Sequence, residues 1–287
     1  MVRGQPLVNQ SDRGGTGVPP VPVCIAQSLS RPARAFPSCT LVSLVVTALM
    51  SIAENISLLR SRIIAAAHRV HRNPENIALM AVTKTVASQH IREAYAEGLR
   101  IFGENRVQEF ATKAEALKDL PGAEWHMIGH LQTNKAGKAV ELFSHIDSID
   151  SLRLAQKLNS AASNLGTKLL ILIEINIAGE AAKSGLLLDS SELQELLKAA
   201  PELPFLQIRG LMAVPPYNDN PEQSRPYFRR MRAQFEQIAS RNFAAVRMQV
   251  LSMGMSHDFE IAIEEGSTCV RLGTAIFGDR PPLRSKL

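Results

Sequence analysis

The chain has 287 residues, 45% of them hydrophobic and 21% charged, which is typical of a globular protein and excludes a disordered or collagen-like one. No apolar run reaches the roughly 20 residues of a membrane helix, and three cysteines (Cys24, Cys39 and Cys269) exclude a disulfide framework and favour the reducing cytoplasm. Residues 1–49 contain four arginines and one acid and therefore carry +3 of the net charge of +5. The rest of the chain carries only +2. The charge therefore predicts no nucleic-acid partner.

Residues 1–49 contain six of the sixteen prolines and show no amphipathic period, so we expect a disordered extension outside the fold. They resemble a targeting peptide, because they are rich in arginine and poor in acids. Alternatively, translation starts at Met50. A start at Met50 is favoured by Ser51-Ile52-Ala53-Glu54, a capping-box pattern that opens a helix directly after Met50. We predict one folded domain over residues 50–287.

After Met50, strand-like apolar runs alternate with stretches of helical period. The first helix extends from Ser51 to about Arg72. The predicted strands are Leu79–Thr83, Ile101–Gly103, Trp125–Ile128, His145–Ile149, Leu169–Asn176, Ile208–Val214, Met248–Met253 and Val270–Phe277. The helices that follow the first seven strands are Ser88–Glu97, Val107–Leu117, Asn134–Leu142, Ser151–Ala162, Ser191–Ala199, Glu222–Ser240 and His257–Glu265. Asp189 to Glu192 forms a second capping-box pattern before the fifth of these helices.

This regular alternation requires a mostly parallel sheet, because parallel neighbours need crossover connections. Eight units match the length of a (β/α)₈ barrel. A doubly wound sheet usually has a glycine-rich loop after its first strand, and Val82-Thr83-Lys84-Thr85 contains no glycine. We therefore predict an α/β fold, a single (β/α)₈ TIM barrel with an extra N-terminal helix. The chemistry of such a barrel lies where its strands end.

The first two strands end in residues that can bind a ligand. Burial of the Lys84 stem against the barrel wall should lower the pKa of its amine, because burial disfavours the ammonium form, and a neutral amine forms Schiff bases with aldehydes. The alternative is a surface lysine that merely follows a strand. Asn105, after the second strand, offers two donors and an acceptor at the barrel mouth, or serves as an ordinary helix N-cap.

The third strand contains His126 and is followed by His130. Two histidines four residues apart suggest a metal pair only when they lie on a helix. In a strand that runs into a turn they face different directions, and we find no nearby acid or cysteine that would complete a ligand set. We therefore expect no metal site.

The last two strands predict a phosphate site. Ser256 stands where a helix N-cap belongs, and free N–H groups at a helix start attract phosphate. Gly273 lets the backbone approach a ligand, so that its N–H and that of Thr274 can hold anionic oxygens, although Gly-Thr is also an ordinary turn. An amine on the first strand and a phosphate site on the last two together predict an aldehyde that carries a phosphate.

Several long motifs resemble those of the YggS/PROSC family of pyridoxal 5′-phosphate (PLP) homeostasis proteins over about residues 51–280. The motifs are Ala81-Val82-Thr83-Lys84-Thr85, Phe102-Gly103-Glu104-Asn105-Arg106-Val107-Gln108-Glu109, Trp125-His126-Met127-Ile128-Gly129-His130-Leu131-Gln132-Thr133-Asn134-Lys135, Lys183-Ser184-Gly185, Arg209-Gly210-Leu211-Met212, Leu251-Ser252-Met253-Gly254-Met255-Ser256 and Val270-Arg271-Leu272-Gly273-Thr274. The chain departs from many members at Val86 and Ala87, where they have Lys or Arg followed by Pro. That departure touches a secondary contact at most.

The resemblance implies a PLP-bearing barrel similar to the N-terminal domain of alanine racemase. The matching positions are Lys84 for the aldimine, Ser256, Gly273 and Thr274 for the phosphate, Arg271 for the pyridine nitrogen, and Asn105 and Met212 for the pocket wall. No residue is assigned a catalytic role.

The resemblance also bears on whether the protein is an enzyme. A pyridine nitrogen that faces Arg271 stays unprotonated, because a guanidinium cannot accept a proton, and the ring is then a weak electron sink. Racemisation survives this objection but needs a second acid–base group, which in the similar racemases is a tyrosine from a second domain of a partner subunit. The sequence ends at Leu287, soon after the eighth strand, which leaves Tyr217 as the candidate and favours a monomer.

We therefore predict a PLP-binding protein of intracellular PLP homeostasis, which stores, delivers or regulates the cofactor as a reversible lysine aldimine without catalytic turnover. The predicted acceptors of the cofactor are PLP-dependent apo-enzymes. The first alternative is a PLP-dependent amino-acid racemase of low activity. The second is a barrel aldolase that uses Lys84 without PLP.

Overall fold

The computed structural model describes residues 50–180 and 183–278 of the chain. Residues 1–49, 181–182 and 279–287 lie outside this part, and so does the prediction of a disordered extension or misplaced start over residues 1–49. Among the described residues, no helix combines the length and the apolar character that crossing a bilayer requires.

Eight parallel strands form a closed barrel in sequence order, with the first strand paired to both the second and the last. They are β1 (Ala78–Val82), β2 (Ile101–Glu104), β3 (Glu124–Met127), β4 (His145–Ile149), β5 (Leu169–Ile175), β6 (Leu206–Ala213), β7 (Val246–Ser252) and β8 (Cys269–Leu272). The predicted TIM barrel is confirmed.

Helices surround the barrel. They are α1 (Ile52–Arg69), α2 (Ser88–Ala96), α3 (Val107–Ala114), α4 (Ala136–Leu142), α5 (Leu152–Leu165), α6 (Ser191–Ala199), α7 (Arg225–Ser240), α8 (Phe259–Glu264) and α9 (Thr274–Phe277). The extra helix α1 begins with the predicted capping box, since Ser51 Oγ accepts from the Glu54 N–H and the Glu54 carboxylate accepts from the Ser51 N–H. Its buried stripe, which includes Ile56, Leu59 and Ile63, packs beside α8 and α9.

The predicted eighth strand extends too far along the chain, so its end is wrong. The strand stops at Leu272, and Thr274–Phe277 is the short helix α9, in which the N–H groups of Ile276 and Phe277 both donate to the Gly273 carbonyl at 2.9 Å. Asn55 of α1 donates to the Ile276 carbonyl at 3.0 Å, and the Ile276 side chain is fully buried. The apolar run therefore packs beneath α1, a long-range contact that strand periodicity does not reveal.

The start of helix α6 differs from the predicted capping box by one residue. Ser190, and not Asp189, is the N-cap, and its Oγ accepts from the Leu193 N–H at 3.2 Å. Asp189 has a positive φ of 55° and belongs to the preceding turn. Either residue type can cap a helix, so the backbone of the turn selects between them.

Apolar side chains fill both faces of the barrel wall. Val270 and Leu272 of β8 belong to the large core between strands and helices, so the alternate residues Cys269 and Arg271 face the lumen. Met80 pairs with Arg271 in register, and the side chain of Met80 is fully buried. Because the strands are parallel, all their carboxyl ends lie at the same end of this lumen.

Candidate functional site

Lys84 lies in a tight turn directly after β1 and is half-buried. The turn is attached to β2, because the buried Thr83 donates its N–H to the Gly103 carbonyl at 2.9 Å and its hydroxyl to Glu104 Oε1 at 2.7 Å. Thr85 follows in the left-handed region, with a φ of 61°. These contacts hold the backbone on both sides of Lys84, whose side chain provides the amine.

Helix α3 holds the same turn through an ion network that the sequence analysis did not assign. Lys113 Nζ donates to the Thr83 carbonyl at 3.0 Å, to Glu104 Oε1 at 3.2 Å and to Glu109 Oε1 at 2.7 Å. Glu109 Oε1 also accepts from the Thr85 N–H at 2.5 Å. The spacing of Glu109 and Lys113 by four residues on a helix was the available sequence signal.

Burial acts differently on the two carboxylates of this network. Desolvation raises the pKa of the fully buried Glu104 above its ordinary value, against the opposing effect of Lys113. Glu109 is also desolvated, but hydrogen bonds from Lys113 and Thr85 hold the pKa of its carboxyl below the ordinary value. Lys113 is therefore the cation on which the buried Glu104 depends.

We predict that Lys113→Met lowers the free energy of unfolding by about 3 kcal/mol, because it leaves a buried carboxylate without its cation. Denaturant unfolding followed by the fluorescence of Trp125 measures this loss. Combining Lys113→Met with Glu104→Gln should recover most of it, since the amide carries no charge and still accepts from Thr83. A double variant no more stable than Lys113→Met would contradict this explanation.

Asn105 follows β2 at the same end of the barrel and is half-buried. A Cβ on Gly129, after β3, would lie 2.3 Å from the Asn105 carbonyl oxygen. The glycine therefore lets the loop after β3 approach the backbone of Asn105 closely. Asn105 is not a helix N-cap, because α3 begins after Arg106.

The ends of β7 and β8 meet as predicted, but Ser256 is not the N-cap of α8. That helix begins at Phe259 after Asp258, whose Oδ1 accepts from the Met255 N–H at 2.8 Å. Ser256 Oγ instead accepts from the Ala275 N–H at 3.4 Å, beside the first turn of α9. The hydroxyl therefore lies next to the backbone of Gly273 and Thr274, the other two predicted phosphate contacts.

Arg271 and Met212 lie in the wall of the lumen beneath these loops. Arg271 is 4% exposed and donates to Ser252 Oγ at 2.6 Å and to the Ala213 carbonyl at 2.8 Å. Met212 is buried and pairs in register with Ser252, so both face the same side of the sheet as Arg271. Burial lowers the pKa of Arg271, but a guanidinium remains protonated at any pH the protein meets.

Glu174, at the end of β5, is a further polar group at this end of the barrel. Ser184 Oγ donates to both of its carboxylate oxygens, at 3.3 and 3.2 Å, and desolvation raises the pKa of Glu174. Gly185 lets this segment pack tightly, because a Cβ there would lie 2.7 Å from the Asn176 nitrogen. The Lys183-Ser184-Gly185 motif was noted in the sequence, but the contact with Glu174 was not foreseen.

His126, within β3, and His130, which follows β3, lie at different ends of the barrel. His130 is at the mouth, 3.0 Å from Asp150, whereas His126 is inside the lumen, 2.9 Å from Asp147. Desolvation opposes protonation of His126, but Asp147 outweighs it and raises the pKa of the His126 ring to about 9. Burial and the neighbouring His126 lower the pKa of His145 to about 4. The expectation that no acid lies near His126 is wrong.

All seven predicted cofactor residues lie at the carboxyl ends of the strands. Because β1 and β8 are neighbours, with Ala81 paired to Leu272, the Lys84 turn lies beside the turn of Gly273 and Thr274. The donor set comprises a primary amine, a hydroxyl beside backbone N–H groups and a buried guanidinium, and it fits a ligand with an aldehyde, a phosphate and an acceptor atom. PLP has these three groups.

Comparison with known proteins agrees with this geometry. Residues 49–281 match the family described as alanine racemase, N-terminal domain. The chain is 45% identical over 231 residues to the pyridoxal phosphate homeostasis protein of Aquifex aeolicus, an alignment that covers 80% of this chain and 99% of the relative. PipY of Synechococcus elongatus, solved with PLP bound, is 38% identical with a TM-score of 0.69, covering 79% of this chain and all of PipY. An alanine racemase of Clostridium difficile shares the fold at 17% identity and a TM-score of 0.59, covering 80% of this chain and 58% of the racemase.

Proposed function

The chain belongs to the family of pyridoxal phosphate homeostasis proteins, which have the alanine racemase N-terminal domain fold, and on that premise we propose that it binds PLP reversibly as a carrier. The protein stores, delivers or regulates the cofactor within the cell and does not turn over a substrate. The observation that carries this proposal is the placement of the Lys84 turn beside the Ser256, Gly273 and Thr274 segments on neighbouring strands.

Each part of the site has a distinct task in this function. Bound PLP supplies an aldehyde that condenses reversibly with a primary amine. Lys84 provides the amine, and the hydrogen bonds of Thr83 and Thr85 hold its backbone in place. Binding therefore costs little backbone conformational entropy. The Ser256 hydroxyl accepts from Ala275, which leaves its proton free to donate to a phosphate oxygen.

Arg271 argues against PLP chemistry that needs a strongly electron-withdrawing ring, such as transamination, but not against racemisation. Its guanidinium is buried, held by Ser252 and Ala213, and has only donors, so an aromatic nitrogen that faces it remains an acceptor without a proton. PLP enzymes usually place an acid at this position to strengthen the electron demand of the ring. We propose that Arg271 helps to hold the cofactor and keeps its ring nitrogen unprotonated, so that the ring is a weak electron sink.

The alternative function, amino-acid racemisation, depends on Tyr217. This residue lies in the loop after β6 and is 74% exposed, and its ring is tilted by 35° against that of His257, with the centroids 5.4 Å apart. A ring so exposed is not enclosed by the proposed site, which disfavours a role that needs a positioned acid–base group. Racemase turnover that is present in the wild type and lost in Tyr217→Phe would favour the enzyme over the carrier.

We also propose that the acceptors are PLP-dependent apo-enzymes, that the protein works as a monomer and that it acts in the cytoplasm. Reversibility of the bond to Lys84 is what allows transfer to an acceptor. The thiol of Cys269 is free and buried, as expected of a protein from a reducing compartment.

Borohydride trapping tests the proposed function. Purified protein is incubated with PLP, reduced, digested and mapped by mass spectrometry. We expect one pyridoxyl group per chain, on Lys84, and a yellow colour before reduction. A colourless protein that takes up no PLP, or a label on another lysine, would overturn the proposal, and the first result would point to an aldolase that works without PLP.

The phosphate site gives a further prediction. Ser256→Ala removes one charge-assisted hydrogen bond, so the affinity for PLP should fall about 10-fold, while the affinity for pyridoxal, which lacks the phosphate, should change less than about twofold. Absorbance titration measures both ligands. Ser160→Ala, on the exposed face of α5, is the matched control and should leave both affinities unchanged. Equal losses for PLP and pyridoxal would place Ser256 away from the phosphate.

A further inference from the structure

A cavity with several polar side chains in its wall lies at the end of the barrel lumen opposite the proposed PLP site. It has a volume of about 190 Å³, and its wall includes the first residues of β1, β2, β3, β4 and β8. The proposed PLP site, in contrast, is formed after the last residues of the strands. Glu124, His126, His145, Asp147, Arg209 and Cys269 line the cavity.

Strand register brings two histidines and a carboxylate together there. His126 of β3 pairs directly with His145 of β4, and their rings stack with centroids 3.9 Å apart at an angle of 11°. Glu124 is two residues before His126 on the same strand and therefore faces the same side of the sheet. The carboxylate oxygen Oε2 of Glu124 lies 3.8 Å from His126 Nε2 and 3.9 Å from His145 Nε2.

These spacings suit a small divalent cation. One ligand atom from each of Glu124, His126 and His145 can be chosen so that all three lie within 4.8 Å of one another. Two ligand atoms on a tetrahedral Zn²⁺, with bonds of about 2.0–2.1 Å, are roughly 3.3 Å apart. Glu124 is half-exposed and can close its own distances to that value with a shift of about 0.5 Å, and the stacked rings must turn about their Cβ–Cγ bonds to bring both Nε2 lone pairs to one ion.

In each histidine the nitrogen that would face away from an ion already has a partner. His126 Nδ1 is 2.9 Å from Asp147 Oδ2, and His145 Nδ1 is 2.9 Å from Ser144 Oγ, so in each ring the other nitrogen, Nε2, remains for an ion. His126 is 8% exposed, and its Nε2 is buried with no hydrogen-bond partner among the described residues. A histidine held by a carboxylate on one nitrogen with the other free is the usual outer-shell arrangement of zinc sites.

The charges of the wall also favour a cation. Two carboxylates, Glu124 and Asp147, offset the guanidinium of Arg209 and leave one negative charge in the wall once an ion has displaced the proton of His126. A third carboxylate or a thiolate is not needed for binding, since two histidines and a glutamate already form a known zinc ligand set.

We propose that Glu124, His126 and His145 bind a divalent transition-metal ion, Zn²⁺ in the first instance, at the amino end of the barrel, with Asp147 as a positioning residue for His126. The fourth coordination position opens into the cavity and takes a water molecule. Binding releases any proton on Nε2 of His126, as metal binding to histidine generally does. The site is independent of the proposed PLP function, because it shares no residue with it.

Zinc titration of the full chain tests the site. Protein stripped with EDTA is titrated with Zn²⁺ against a chromophoric chelator, and Co²⁺ is added separately to record the visible spectrum of tetrahedral coordination. We expect one ion per chain. His145→Gln and Glu124→Gln should each weaken Zn²⁺ binding by more than about 100-fold, and Asp147→Asn by about 10–100-fold. His130→Gln, at the other end of the barrel, is the matched control and should bind as the wild type does.

PLP uptake serves as the folding control for His145→Gln and Glu124→Gln, because both residues lie at the end of the barrel opposite Lys84. Loss of zinc binding with PLP uptake retained in His145→Gln supports the site. Absence of zinc binding by the wild type would overturn it. Unchanged zinc binding in both His145→Gln and Glu124→Gln would also overturn it, because the ion would then bind elsewhere.

Discussion

Lys84→Arg is expected to abolish covalent PLP binding, so that borohydride leaves no pyridoxyl label and the protein stays colourless. Arginine keeps the positive charge and most of the stem, but a guanidinium is protonated at any accessible pH and cannot attack an aldehyde. The proposed phosphate contacts of Ser256, Gly273 and Thr274 are unchanged in this variant, so we expect weak binding to persist. We expect the affinity for PLP to fall by at least about 100-fold, which is about 2.7 kcal/mol.

Two measurements support this experiment. Lys118→Arg, on an exposed lysine that pairs with Glu115, is the matched control and should take up PLP as the wild type does. Denaturant unfolding should show that Lys84→Arg is folded. A Lys84→Arg protein that still turns yellow would move the covalent bond to a different amine and refute the carrier proposal in its present form.

Gly210→Ala is expected to give the largest loss of stability of any substitution considered for this chain. Gly210 in β6 has a φ of 155°, and a Cβ there would lie 1.8 Å from the Val250 carbonyl oxygen and 2.7 Å from its carbon. Both atoms are backbone of the paired strand β7, so no side-chain rotation relieves the clash. We expect the free energy of unfolding to fall by at least about 4 kcal/mol, measured by denaturant unfolding.

The special conformation at Gly210 has a local cause. The pairing of β6 shifts register next to Arg209, on the side of β5 and on the side of β7. Such irregularities bend a strand and bring backbones closer, which only glycine tolerates at this φ. The same bend directs Arg209 into the cavity at the amino end of the lumen, where its Nε is buried without a hydrogen-bond partner among the described residues.

Gly137→Ala is the matched control for this prediction. Gly137 lies in the exposed part of α4, and a Cβ there would meet nothing within 4 Å. Alanine in an unstrained helix restricts the unfolded chain and favours the helix, so stability should rise by up to about 1 kcal/mol. Comparable destabilisation by Gly137→Ala and Gly210→Ala would show that the close approach to Val250 is not the cause.

Strand direction separates the two proposed sites. Residues that follow a strand, such as Lys84 and Ser256, reach the end where helices begin, and residues that open a strand, such as Glu124 and His145, reach the other end. Asp147 lies between them in the lumen and acts electrostatically on both His126 and Arg271. The two proposed sites therefore lie at opposite ends of one lumen and are coupled through Asp147.

The sequence by itself determined the barrel and the residues that follow its strands. Apolar runs that alternate with amphipathic helices require parallel strands, and a residue directly after a run must lie at the carboxyl end wherever that strand packs. Lys84, Asn105, Ser256 and Gly273 were found on this basis without knowledge of any contact. The Ser51 capping box was equally accessible, because its partners are three residues apart.

Only the tertiary structure decided which distant side chains meet. The contacts of Lys113 with Thr83 and of His126 with His145 and Asp147 join different elements, and they depend on the register of strand pairs and on how helices lie against the barrel. The conversion of Thr274–Phe277 into a helix depends likewise on packing under α1. Local patterns report the period of a segment, whereas register and closure are set by burial summed over the whole core, and no short window of sequence contains that sum.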